Sequence, residues 1–460
     1  MRFFIIIFFI CHSSFAQKLT PLIENTLNFQ LDSTLNFLIN AQIKTTEEGK
    51  HYAGEWESFM ELSEPYFFLG KKQKAQDSNC FTVSAIHNFL SEIYLKDTSR
   101  NVLLPILSNA YKEILSYQNG MRFNFWKKLP PNRKLKWINE PSPQPMVRRP
   151  TNFKLGIRFV NNAANIPEDA DDTSLGNLAT FYQNQIFGTK ENLISPQKFD
   201  EYLDFERNNR NWFNVLFLRN PNSKAFLTWQ YPEHEFGQWN IAKSALSIFL
   251  IFFPGSSSKP VAYKPWVPFG ANEVDIVVNA NIISYLSVTK QSQNSLGFFP
   301  SQALINLKLN DRSWANSSVY YSNQYHIHYA VSRAYFLGAN NLKESCDIIL
   351  KNIIEKQEKD GSLKSRSFIN KYDQIQSTAF ALHALLDLKK SGFNVPNDNI
   401  KRALNYLLAN KKTVNNGIFW DGGVFFSGGT VLRNILFWKS DAYTTALIAK
   451  CLQEYIFLKI

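Results

Sequence analysis

Four carboxylates fall within five residues at Glu168-Asp169-Ala170-Asp171-Asp172, followed at once by Thr173 and Ser174. Carboxyl groups packed this closely cannot all ionise, so one is expected to keep its proton. A proton held in that way makes a strong general acid. The spacing leaves open which of Asp169, Asp171 and Asp172 donates it and which carry the charge around the donor. The same residues also suit a plain helix start. Pro167 fits a first helical turn, Asn165 can cap it, and acidic side chains there complement the positive end of the helix dipole.

Two further groups carry polar chemistry on apolar surroundings. Asp275 and Asn279 are four residues apart and share one face of an apolar helix, where a polar pair must find partners or face a cavity. They are candidates for substrate binding opposite Asp171. The structural alternative makes Asp275 a helix-start residue and Asn279 a bridge between helices. His326 and His328 are two residues apart and point to opposite sides of a helix, which disfavours one shared metal. His326 is placed near the cavity, against the commoner outcome of a satisfied core histidine. Cys80 and His87 are seven residues apart, about two helical turns, too far for a direct hydrogen bond. Their block is read as structural.

Helices must position these residues. No stretch alternates apolar and polar residues at strand spacing, so the class is all-α. Three blocks follow one another. Residues 17–125 carry helical patterning, as in Val83, Ile86, Phe89, Leu90 and Ile93. An irregular, basic, proline-rich connection then holds Pro130, Pro131, Pro141, Pro143, Pro145 and Pro150. The remainder repeats a unit of helix, Gly-centred turn and a second helix that opens with small residues. One copy runs from Ile353 through Asp360-Gly361-Ser362 to Ser377-Thr378-Ala379, and another from Ala403 through Gly417–Gly423 to Ala442-Tyr443-Thr444-Thr445-Ala446. A helical pair cannot bury its apolar face alone, so such units stack in an array or close on themselves.

Gln357 with Asp360-Gly361, and Trp420-Asp421-Gly422-Gly423 ahead of Ser440 to Leu447, resemble the repeats of terpene cyclases and protein prenyltransferases. Asp169-Ala170-Asp171-Asp172-Thr173 resembles the Asp-x-Asp-Asp-Thr motif of class II terpene cyclases such as squalene-hopene cyclase. The resemblance spans roughly residues 150–460. It implies an α/α toroid over 151–460 with an N-terminal helical extension over 17–150. It also implies protonation of an alkene or epoxide by Asp171, a histidine such as His326 orienting that acid, and aromatic faces such as Trp420 toward a carbocation. Two departures stand out: Leu363 replaces the usual aromatic of its repeat, and residues 17–150 match no pattern of the family. The aspartate-rich, diphosphate-ionising motif of class I synthases is absent, so neither magnesium nor any other cofactor is implied.

Compartment and bulk properties frame the function. Arg2, the apolar run Phe3–Ile10 and the small residues Ser14 and Ala16 form a secretory signal over residues 1–16, too short to span a bilayer. The expected location is periplasmic or secreted. Cys80, Cys346 and Cys451 remain after cleavage, an odd set that makes no disulfide framework while leaving one bridge open. The net charge of +12 is scattered, with no nucleic-acid motif, so nucleic acid is excluded and peripheral membrane contact stays open. The expected partner is an apolar small molecule or a glycan. The leading expectation is a cyclase-type isomerase. Export favours an α/α-barrel glycosidase or polysaccharide lyase instead, with Asp171 and either Glu233 or Asp275 as a carboxylate pair about 5–9.5 Å apart. A third reading is a non-catalytic toroid that binds a lipid or a partner protein.

Overall fold

A computed structural model describes residues 21–63, 71–129, 147–153, 166, 168–205, 223–230, 274–311, 314–365, 373–428 and 435–459. The signal segment, most of the proline-rich connection and Glu233 lie outside the described residues. The described helices are α1 (Pro21–Ala41), α2 (Cys80–Lys96), α3 (Leu103–Leu115), α4 (Ala170–Phe187), α5 (Pro196–Asp200) and α6 (Ile276–Val288). They continue with α7 (Phe298–Leu309), α8 (Gln324–Leu337), α9 (Lys343–Lys356), α10 (Asp373–Lys390), α11 (Asn397–Ala409) and α12 (Asp441–Leu458).

Burial sorts these helices into two layers. In α10 every residue from Ile375 to Leu388 is buried, and in α12 every residue from Ala442 to Ile456. A helix apolar on all sides must be covered on all sides. By contrast α11 buries only Asn399, Ile400, Ala403, Leu404 and Leu407, and α9 only Ser345, Cys346, Ile349 and Ile353. Those are single stripes at helical spacing, the mark of a helix with one face in water. The inner helices pack in a closed circuit, α2–α4–α6–α8–α10–α12 and back to α2. Outside them, α1 covers α12, α3 covers α2, α7 covers α6, α9 covers α8 and α11 covers α10. The fold is an α/α toroid.

The N-terminal helices do more than extend this ring: α2 sits between α12 and α4 and closes it. Residues before and after position 150 share one hydrophobic core, from Leu27 to Ile456. An antiparallel sheet of four strands binds the chain's two ends, in the order Val424–Ser427, Leu436–Lys439, Phe59–Leu62, Lys74–Gln76. Among the described residues no strand exceeds four residues, too short for alternation to show in sequence. Cys80, Cys346 and Cys451 are buried free thiols. Among the described residues no helix is long and apolar enough to cross a membrane.

The repeat turns lock outer helices to inner ones. Gln357 Nε2 donates to the carbonyls of Gly361 (3.1 Å) and Asn399 (2.9 Å), and Asp360 Oδ1 accepts from the backbone and hydroxyl of Ser362. The backbone N–H of Leu363 donates to the Thr378 hydroxyl (2.9 Å), as that of Trp420 does to Thr445 (3.1 Å). Leu363 and Trp420 are therefore equivalent. The Trp420 ring is fully buried, its Nε1 donating to Leu407 O at 2.6 Å.

Gly361 turns with φ +90°, and a Cβ there would overlap the carbonyl of Arg402. Gly361→Ala should therefore cost roughly 1–3 kcal/mol, read as a lower urea midpoint at unchanged slope. A midpoint equal to wild type would show that this turn does not pin α9 to α11.

Candidate active site

The N-termini of the inner helices gather at one end of the ring. Asp169 (φ −124°) is the N-cap of α4, its Oδ1 accepting from Asp172 N at 2.7 Å. The helix thus begins four residues later than capping by Asn165 would place it. Thr173 accepts a hydrogen bond from Phe123 N at 3.1 Å, the contact that Thr378 and Thr445 make in their own repeats. The threonine of the Asp-x-Asp-Asp-Thr pattern thus belongs to the architecture. Counting back two residues from each threonine gives Asp171, Gln376 and Tyr443, and Tyr443 lines the ring interior.

Asp171 is buried at that end. Asn281 Nδ2 of α6 donates to its Oδ1 at 2.7 Å, and the Tyr321 hydroxyl donates to its Oδ2. Burial pushes its pKa up from the usual 3.8 to about 6, with the Tyr321 and Asn281 donors pulling back and Asp275 adding to the rise. Burial also drives Asp172 well above the usual range, reinforced by its neighbour Asp169, which is itself raised to about 7. Asp172 Oδ1 has no hydrogen-bond partner, as suits a neutral carboxyl. Burial and mutual repulsion thus disfavour two charges on the Asp169–Asp172 pair, with Asp172 the more strongly raised of the two. Cys80 lies against Asp172, and its thiol is pushed up by burial.

The interior below holds a cavity of about 40 Å³. Its walls include Phe81 and Phe89 of α2, Asn281 of α6, His326 and Tyr329 of α8 and Tyr443 of α12. Phe81 packs on Tyr443 and Tyr321, with ring centroids 5.9 Å apart in both pairs. His326 stacks on Phe380 at 4.3 Å, and burial lowers its pKa to about 3. It is a neutral aromatic wall. It does not bond to Asp171; it meets the Tyr321 ring at 4.3 Å, and the orienting role falls to Tyr321 and Asn281. His328 faces Trp314 and Tyr325 instead, away from the cavity.

The remaining candidates are satisfied by the protein itself. Asp275 caps α6 through Val277 N and Val278 N, and its Oδ2 accepts from Ser318 Oγ, Val319 N and Tyr320 N. Asn279 bonds both backbone groups of Phe226 and the Ser301 hydroxyl. Both therefore take the structural alternative, as helix start and interhelical bridge, because every strong donor and acceptor is already used. Trp420 lies between α11 and α12, off the cavity. Of the two carboxylates considered as hydrolytic partners of Asp171, Asp275 is thus occupied as a cap, and Glu233 lies outside the described residues. Sequence reasoning assigned no role to Asn281 or Tyr321. A polar Asn281 two residues past Asn279, on the opposite side of α6, was the available signal.

No protein-family model matches the chain, and no curated protein matches it. Solved structures do. The apo form of MstE, a type II terpene cyclase from Scytonema, superposes with a TM-score of 0.51 at 12% identity, over 95% of this chain and 99% of that one. A variant of MstE bound to geranylgeranyl dihydroxybenzoate gives 0.50 at 11%, over 95% and 99%. A protein from Actinoplanes gives 0.52 at 11%, over 94% and 99%. At such identities the likeness establishes the α/α-toroid fold, the one type II terpene cyclases use.

Asp171 is easier to protonate in the folded chain than in the unfolded one. Its stabilising contribution is fully present below pH 3.8 and is lost as the pH rises to about 6. Asp171→Asn escapes that loss. The melting temperature of the variant should gain on the wild type between those values and then level off, with a total on the order of 3 kcal/mol. A constant difference across the window would mean that Asp171 titrates like a surface carboxyl.

Proposed function

We propose that the protein is a protonation-initiated cyclase, an isomerase that acts outside the cytoplasm on an apolar polyprenyl-type substrate with Asp171 as its general acid. One observation carries the reading: a buried carboxyl of raised pKa is hydrogen-bonded to Asn281, which lines a ring interior walled by aromatic side chains. MstE, which shares the fold, has geranylgeranyl dihydroxybenzoate as a substrate, and this favours the same class of chemistry here.

The chemistry follows from the groups present. An alkene π pair takes the proton of Asp171, and the adjacent carbon becomes cationic. The carboxylate left behind is met by the Asn281 and Tyr321 donors, which already point at its oxygens. A second alkene closes the ring by attacking the cation, and loss of a proton yields an isomer of the substrate. Phe81, Phe89, Tyr329 and Tyr443 present π faces to the travelling charge. His326 stays neutral and so does not repel it. At about 40 Å³ the interior holds only a few waters, so a polyprenyl chain must displace these side chains as it binds.

Acyclic polyprenyl alcohols incubated with the enzyme in D2O should yield cyclic isomers carrying one deuteron at the former alkene terminus. Asp171→Asn should lower that rate about 10²–10⁴-fold. Turnover that survives the substitution, or product without deuterium, would end the proposal. The rate should fall as pH rises through about 6. Tyr321→Phe removes a donor to the carboxylate and should move that descending limb to higher pH, an effect that a purely structural role for Tyr321 would not produce.

A further inference from the structure

The opposite end of the ring is chemically unlike the first. There the C-terminal halves of α2, α4, α8, α10 and α12 surround a second cavity of about 320 Å³. Four cationic side chains line it, Lys96, Arg333, Lys390 and Lys450, against two carboxylates, Glu92 and Glu454. Glu454 is shared by three lysines, at 2.8 Å from Lys96, 2.8 Å from Lys450 and 3.2 Å from Lys390. Glu92 pairs with Arg333, with Lys450 at 3.5 Å and with the Tyr182 hydroxyl at 2.7 Å. Asp387, behind the wall, takes a second bond from Lys390 at 2.7 Å. Even with Asp387 included, the cations outnumber the carboxylates.

Lysines near helix C-termini usually answer the helix dipole, and Lys96 and Lys390 stand in last turns. That does not account for Lys450 and Arg333. Both project from the body of their helices into the cavity and are almost fully buried, where an ion is tolerated only with compensating charge. The mouth is amphiphilic. Leu95 and Phe336 are partly exposed at its edge, with the Lys390 ammonium 4.0 Å above the Phe336 ring and that of Lys96 4.8 Å above Phe457. Glu92 and Arg333 border both cavities, so the basic chamber adjoins the aromatic interior across one ion pair.

We infer that this basic chamber binds the anionic head, a carboxylate or a phosphate, of an amphiphilic ligand, with Lys96, Lys390, Lys450 and Arg333 as its donors and the apolar part lying along Leu95, Phe336 and the ring interior. Lys96 is the residue free to change partner, because its side chain is about one-third exposed and shares Glu454 with two other lysines. A phosphate or carboxylate drawing Lys96 away leaves Glu454 still paired. The inference stands on this chamber and not on acid chemistry at Asp171.

Calorimetric titration of the full mature chain with dodecyl phosphate, kept below its micelle concentration, tests it against dodecanol and inorganic phosphate. Dodecyl phosphate should bind at least tenfold more tightly than dodecanol. That advantage should shrink as salt is raised from about 50 to about 500 mM, and Lys96→Gln should weaken dodecyl phosphate binding about fivefold or more while leaving dodecanol unaffected. Asp171→Asn should bind dodecyl phosphate like the wild type. Equal affinity for the alcohol and the phosphate would overturn the anion site, and inorganic phosphate binding as tightly as dodecyl phosphate would overturn the amphiphile. A loss on Asp171→Asn would put the ligand at the other end and overturn the placement. Retained binding alongside failed cyclisation would remove only the cyclase reading.

Discussion

A helix buried on nearly every side has little face to offer water, and six such helices in one chain can be covered only by closing on one another. Ring closure is the constraint on which the rest of this structure depends. It forces α12 against α2, which draws the two ends of the chain together and lets the four-stranded sheet form between them. It fixes a common direction for the inner helices, so their N-termini meet at one end and their C-termini at the other. It also creates an interior that belongs to no single repeat.

Polarity along the ring axis follows from that common direction. At the N-terminal end, caps and first-turn acids collect: Asp169, Asp171, Asp172, Asp275 and Asp373. Most are consumed as caps or as bridges between neighbouring helices. Asp171 differs in having only side-chain donors, from two other segments of the ring, on its two oxygens. At the C-terminal end the dipoles favour cations, and lysines and arginine are gathered around Glu92 and Glu454. Acid and base are thus separated by an aromatic interior, a distribution that helix direction alone begins and side-chain choice completes.

The repeats show how one position serves two purposes. Thr173, Thr378 and Thr445 each accept from a backbone N–H of the preceding segment, so the threonine that closes the acidic motif is a joint of the scaffold. The residue two places earlier is free to vary: carboxyl in one repeat, amide in the next, phenol in the third. Chemistry is carried on the repeat without disturbing its joints. This also explains why a motif reading and a helix-start reading of residues 169–173 both describe the same atoms correctly.

Periodicity, small residues and turn glycines along the sequence were enough to establish the helical class and the hairpin repeats, because those features arise from contacts within a repeat or between adjacent ones. The acidic cluster was legible for the same local reason. Closure into a toroid and the choice of Asp171 were legible only through the resemblance of the motifs to those of terpene cyclases and protein prenyltransferases. The partners of Asp171 were not legible. Asn281 and Tyr321 lie 110 and 150 residues away, and only the closed ring brings them to its carboxyl. Nor could spacing reveal that Asp275 and Asn279 are fully satisfied, or that Trp420 merely seals a joint, since satisfaction is a property of neighbours. The basic chamber is the clearest case. Its lysines, arginine and glutamates come from four separate helices and read in sequence as scattered surface charge. Tertiary structure alone decided that they face one another, because burial of the inner helices leaves long charged side chains nowhere to go but the end of the ring.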